Sequence, residues 1–157
     1  MKYELLKNFE VFKKCLIKGA IFIYKKYKFQ KEDVEKSRPI IILNNIPPHD
    51  KKDIVYYSTL TGEIQRYSTK NKPKEIIIIR NGILKCASAF NLGQVIKVEC
   101  GKLHCDFLND ILDYKGNISK KIKTYLDKEI ILYFSDNKLS KTIPNVVRKA
   151  ILLNNDN

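Results

Sequence analysis

The stretch SRPIIILNNIPPHDKKDIVYYST, residues 37–59, decides the fold. Pro39-Ile40-Ile41-Ile42-Leu43 is an apolar run of strand length that opens with proline, a position a strand tolerates. Asn44 to Asp50, with Pro47-Pro48 at its centre, is turn chemistry. Ile54-Val55-Tyr56-Tyr57-Ser58-Thr59 is a second strand, and Thr61-Gly62 turns it. Two β-branched and aromatic runs joined by a turn signal predict an antiparallel pair.

Working outward, Ala20-Ile21-Phe22-Ile23-Tyr24 is a third run of the same kind. It is separated from Pro39 by a charged segment, Lys25 to Lys36, read as a loop. Arg66 to Pro73 is polar and basic, a second loop. Glu75 to Arg80 and Ile83 to Ala89 flank Asn81-Gly82, which predicts a tight hairpin. Gln94 to Glu99 predicts a last strand. In front of the strands, Leu5, Phe9, Phe12 and Leu16 recur at helical spacing and predict an amphipathic helix over 3–16. Behind them, from Lys102, the period is helical again. Leu103, Phe107, Leu108, Ile111 and Leu112 share one face, Ile118, Ile122, Leu126 and Ile130 another, and Pro144 opens a short final helix over 145–153.

A helix, about six strands and then helices predict an α+β fold. The expected form is one domain over 1–157, with an N-terminal helix (1–16), a small, strongly curved antiparallel sheet or barrel (17–100) and a C-terminal helical part (101–153). At 157 residues the chain is long enough to bury roughly 68–70% of its unfolded surface without a metal or disulfide staple. No apolar run approaches the roughly 20 residues of a membrane span, and MKYELLKNFE is too charged for a signal peptide. The expectation is a cytoplasmic protein.

The chain carries 30 Lys+Arg against 17 Asp+Glu, a formal net charge of +13. Solubility asks for a magnitude of only about 2–8 in a small domain. The excess points to a polyanionic partner, nucleic acid or an acidic protein. The four cysteines offer only one close pair, Cys100 and Cys105 beside His104, which is not the two-knuckle pattern of a structural zinc site. No metal and no cofactor are expected. Phosphate-loop, dinucleotide and nucleophile-elbow motifs are absent from the sequence.

Only four arginines stand among the lysines: Arg38, Arg66, Arg80 and Arg148. Arginine offers a planar, permanently charged fork that matches phosphate bidentately. Arg38 precedes Pro39, so its backbone is held extended at the mouth of a strand. Hydroxyls cluster at the end of the next strand, on Ser58, Thr59 and Thr61.

Lys18-Gly19-Ala20-Ile21-Phe22, a charged loop, Ser37-Arg38-Pro39 with its apolar strand, and Ile54 to Thr59 together resemble the MazF/PemK (Kid) toxin family over about residues 17–135. The resemblance implies an SH3-like barrel and a metal-independent endoribonuclease, the toxin of a toxin–antitoxin pair. Such enzymes cleave single-stranded RNA to 2′,3′-cyclic phosphate and 5′-hydroxyl ends. It implies Arg38 as the catalytic arginine and Thr59 as the threonine, with Ser58 and Thr61 as register alternatives. It further implies nucleic-acid contacts from Lys18, Thr61, Arg66, Lys70, Lys72 and Asn91, with Lys74 along the backbone and Tyr56, Tyr67 or Phe90 as stacking surfaces. Its partners are RNA, an antitoxin that is an acidic protein or a structured RNA, and a second copy of the chain. Two positions depart from the family pattern: Ala20 replaces an aspartate, and Phe90-Asn91 fall where an acidic–glutamine pair is usual. The competing expectations are a non-catalytic nucleic-acid-binding module on the same barrel, and a protein that binds an acidic partner.

Overall fold

In a computed structural model, residues 2–27, 36–44, 50–64, 67, 73–80, 82–84 and 86–152 are described. Among them the order is α1 (Lys2–Leu6), α2 (Phe9–Phe12), a 3-10 turn (Lys13–Cys15), β1 (Ala20–Tyr27), β2 (Lys36–Ile42) and β3 (Ile54–Thr59). There follow β4 (Ile76–Ile79), β5 (Ser88–Asn91), β6 (Ile96–Glu99), α3 (Cys100–Leu108), β7 (Leu112–Asn117), α4 (Lys120–Ser135) and α5 (Asn145–Leu152). One sheet has the order β6-β3-β2-β1-β7 and a second pairs β4 with β5. Every pairing is antiparallel, as expected for an α+β protein. A single bridge between Thr61 and Ala89 joins the two sheets, and the strand pairing among the described residues does not close into a barrel.

The run at residues 40–43 is continuously apolar because the large sheet is covered on both faces. Side chains alternate along a strand. Ile40 and Ile42 join Phe22, Val55 and Tyr57 in a core beneath α1, α2 and α3. Ile41 and Leu43 join Ile21, Tyr56, Leu60 and Phe90 in a second core beneath β4, β5, α4 and α5. Gly19, at φ +91°, sits where these layers meet: a β carbon there would lie 2.8 Å from Ile118 Cγ1.

Four expectations are corrected. The N-terminal helix breaks after Leu6, because Asn8 caps a new turn by accepting from the Val11 amide at 3.3 Å. Of the loop expected over Lys25–Lys36, residues 25–27 and Lys36 are strand, since β1 runs to Tyr27 and β2 starts at Lys36, and the remainder lies outside the described residues. Asn81-Gly82 does not make a two-residue hairpin: Ile79 pairs with Ser88, so residues 80–87 connect β4 to β5. Most importantly, residues 112–117 are a strand. Asp110 adopts φ +60° and ends α3. β7 then pairs with β1, Phe22 against Tyr114 and Tyr24 against Leu112. Ile111 and Leu112 continue the helical spacing of α3 by coincidence, which is why the sequence reads as helix there.

Candidate active site

Arg38 lies two residues into β2. Ile40 pairs with Thr59, and the Leu60 amide donates to the Pro39 carbonyl at 2.8 Å. Continued by one pair, that register sets Arg38 opposite Thr61. Residues two apart on a strand share a face, so Arg38 and Thr59 lie on the side of the sheet that carries Ile40, Tyr57 and Tyr24, and the continued register adds Thr61. All three are half-buried. On its other flank Arg38 pairs with Tyr24 of β1. The β1–β2 register shifts immediately beyond, between Tyr24 and Tyr27. A bulge of this kind bends the strand and re-aims the neighbouring side chain.

Ser58 points the other way. It is buried, and its hydroxyl donates toward the Asn91 carbonyl at 3.3 Å and the Gln94 carbonyl at 3.1 Å. This ties β3 to the β5–β6 connection, so the geometry gives Ser58 a structural bond in place of a reacting one. Asn91 closes β5, and its side-chain oxygen accepts from the Gly93 amide at 2.7 Å in a tight turn. Lys18, expected along an RNA backbone, is only 2% exposed. It makes an ion pair with Asp127 of α4, which turns its charge inward. Burial pushes the Lys18 ammonium below the ordinary lysine value, against the opposing pull of the Asp127 hydrogen bond. Tyr56 and Phe90 are core residues and offer no open stacking face. Arg66, Lys70 and Lys72 lie outside the described residues, as does His49. Lys74 is exposed, and Tyr67 is half-buried.

Next to Thr61 the chain opens into a cleft of about 600 Å³, lined by Gly62, Ile64, Arg80, Leu84 and Cys86 among others. Arg80 is exposed at its edge. Arg148, in contrast, is used within the fold: its guanidinium donates to Asn137 Oδ1 at 2.9 Å and Ser140 Oγ at 3.3 Å, and bonds Asn145 as well.

Sequence reasoning missed one pair at this site. Asp106 of α3 is buried, and it accepts from the Tyr24 hydroxyl at 2.9 Å and from Lys102 Nζ at 2.7 Å. The available signal was a carboxylate set between Leu103 and Phe107, within the apolar stripe of an amphipathic helix.

Cys15, Cys86, Cys100 and Cys105 form no disulfide. His104 is buried, with Nε2 at 3.0 Å from the Leu6 carbonyl and its ring packed against Phe9, Phe12 and Phe107. Among the described residues no group of three or more His, Cys, Asp or Glu side chains could hold a metal ion. No helix among them is long and apolar enough to cross a membrane. The chain matches no family model, and no curated protein is significantly similar to it.

Proposed function

We propose that this protein is a metal-independent endoribonuclease of the MazF/PemK type, acting as the toxin of a toxin–antitoxin pair in the cytoplasm. The observation that carries the proposal is the β2–β3 register, in which Ile40 pairs with Thr59 and Leu60 bonds Pro39; continued one pair further it sets Arg38 across from Thr61, and all three residues are half-buried. In such a reaction the RNA 2′-hydroxyl attacks the adjacent phosphorus, forms the cyclic ester and expels the 5′-oxygen. Nucleophile and electrophile belong to one strand, so positioning supplies much of the rate. The remaining demand is stabilisation of the extra negative charge on the pentavalent phosphorane, for which a guanidinium fork is suited. A threonine hydroxyl beside it orients or protonates a phosphate oxygen. The register favours Thr61 over Thr59 for that role, because Thr61 is the residue across from Arg38 when the pairing is continued past Ile40 and Thr59.

The two-sheet arrangement joined through Thr61 and Ala89 is compatible with the curved barrel of that family. The charge of +13 suits an RNA substrate and an antitoxin of acidic protein or structured RNA. A homodimer belongs to the same proposal. The second reading, a non-catalytic nucleic-acid-binding module, is favoured by one observation: Ala20 and Phe90-Asn91 supply no carboxylate where the family has acids.

The test is incubation of the protein with a long single-stranded RNA in EDTA, with Arg38→Ala, Thr59→Ala and Thr61→Ala alongside, followed by end-group analysis. Wild type should give 2′,3′-cyclic phosphate ends. Arg38→Ala should slow the single-turnover rate by about 10²–10³-fold while lowering the salt slope of RNA binding by roughly one. Thr61→Ala should cost more rate than Thr59→Ala. Salt-sensitive binding without cleavage by wild type would replace the proposal with the binding module.

A further inference from the structure

We infer that Tyr24, held by Asp106, is a positioning residue for the Arg38 guanidinium. The inference rests on the proposed role of Arg38 and adds residues to that site. Tyr24 and Arg38 are direct cross-strand partners in the β1–β2 ladder, which sets their β carbons about 4.5–5.5 Å apart on one face. Behind Tyr24 stands Asp106, buried in the core beneath α3, with Oδ2 on the Tyr24 hydroxyl and Oδ1 on Lys102. The Tyr57 ring lies 6.4 Å from the Tyr24 ring.

The proton arithmetic gives the pair a direction. A phenol has one O–H and two lone pairs. The Tyr24 proton is committed to Asp106, so the phenol presents only acceptor capacity to its other neighbours. A guanidinium has five N–H donors and no acceptor. The cross-strand pairing sets this acceptor on the same face of the sheet as the Arg38 fork. Arg38 Nε is itself buried while the residue as a whole is half-buried. Catalysis by a charged fork needs its orientation held within about 10–20°. A buried carboxylate is costly in a core that apolar side chains fill elsewhere, and orienting the phenol is a function that would justify retaining it.

The experiment uses the full chain, with Tyr24→Phe to remove the hydroxyl and keep the ring, and Asp106→Asn as a near-isosteric second variant. Two quantities are read. The first is the single-turnover cleavage rate and the affinity for a long single-stranded RNA. The second is the arginine Nε–Hε NMR spectrum, in which Arg38→Lys identifies the Arg38 resonance. Tyr24→Phe should slow cleavage roughly 10- to 100-fold, the scale of a misplaced catalytic group, with RNA affinity nearly unchanged. The Arg38 resonance should move in both variants while that of Arg148 stays in place. A stationary Arg38 resonance in both variants overturns the inference, whether or not RNA is cut. Wild-type rates in a destabilised but folded Tyr24→Phe also overturn it, since they would make the pair a packing device only. If wild type cuts no RNA yet the resonance moves, the ribonuclease assignment falls and the positioning of Arg38 stands.

Discussion

Replacing Asp127 by asparagine should destabilise the protein more than replacing its partner Lys18 by methionine. Lys18 is 2% exposed, whereas the Asp127 side chain is 26% exposed. Asp127→Asn leaves an ammonium buried without its counter-charge, a loss of about 3–5 kcal/mol. Lys18→Met keeps the aliphatic stem and leaves a carboxylate whose Oδ1 is buried but whose side chain is otherwise partly in water, so the loss is smaller, about 1 kcal/mol. With a urea slope near 2 kcal/mol/M, the unfolding midpoints should fall by roughly 1.5–2.5 M and 0.5 M, read by circular dichroism at pH 7. The double variant should recover part of the Asp127→Asn loss. The pH dependence has a definite sign. Burial holds Lys18 below its ordinary value of 10.5 in the folded state. Between the lowered value and 10.5 the unfolded chain binds more protons, so this group adds stability as pH rises. Asp127→Asn removes the pull that opposes burial, so its deficit relative to wild type should narrow as pH climbs toward 10.5. Equal midpoint shifts for the two single variants, or a larger one for Lys18→Met, would refute the reasoning.

Two more outcomes follow from the seam between α3 and the turn before β3. Gly101→Ala should lower stability by about 1–3 kcal/mol, because the added carbon would stand 2.6 Å from Lys51 Cβ and 2.8 Å from the Lys51 carbonyl oxygen; urea unfolding measures it, and a neutral result would mean the seam opens freely. The Cys100 thiol donates to the Asp50 carbonyl at 2.8 Å, and burial with the nearby Asp53 and Asp50 charges pushes it up to about 11. At neutral pH the exposed Cys86 and Cys105 should therefore react with a thiol reagent in the folded protein while Cys100 does so only on unfolding, and mass spectrometry of labelled peptides checks the order.

Most strands were legible in the sequence because their local chemistry agrees with their place in the fold. Ile54–Thr59 is bounded as its composition suggests, and α4 begins where Ser119 caps it by accepting from Ile122. The errors fall where long-range pairing overrides local pattern. β7 exists because β1 offers it an edge, and nothing within residues 112–117 announces that. Asn81-Gly82 carries a strong hairpin signal, but Ile76–Ile79 finds its partner at Ser88–Asn91. At the candidate site Arg38 stood out by its rarity and its proline. Which hydroxyl faces it depends on register, and register is set by the whole sheet. Lys18 could not be separated by sequence from the solvated lysines, because its burial depends on a helix more than a hundred residues downstream.

The pairing of β1 with β7 also shapes how the chain is made. β1 is synthesised early, and its outer edge meets no partner until residues 112–117 leave the ribosome. At about 5–20 residues per second, the 92 residues from Ala20 to Leu112 take roughly 5–18 s. For that interval the nascent chain carries an apolar strand with one side unpaired, a surface open to chaperones or to another nascent copy. Lys18 waits still longer for Asp127. Completion of the large sheet is thus a late event in translation, and the assembled Arg38 face depends on a strand that is among the last to arrive.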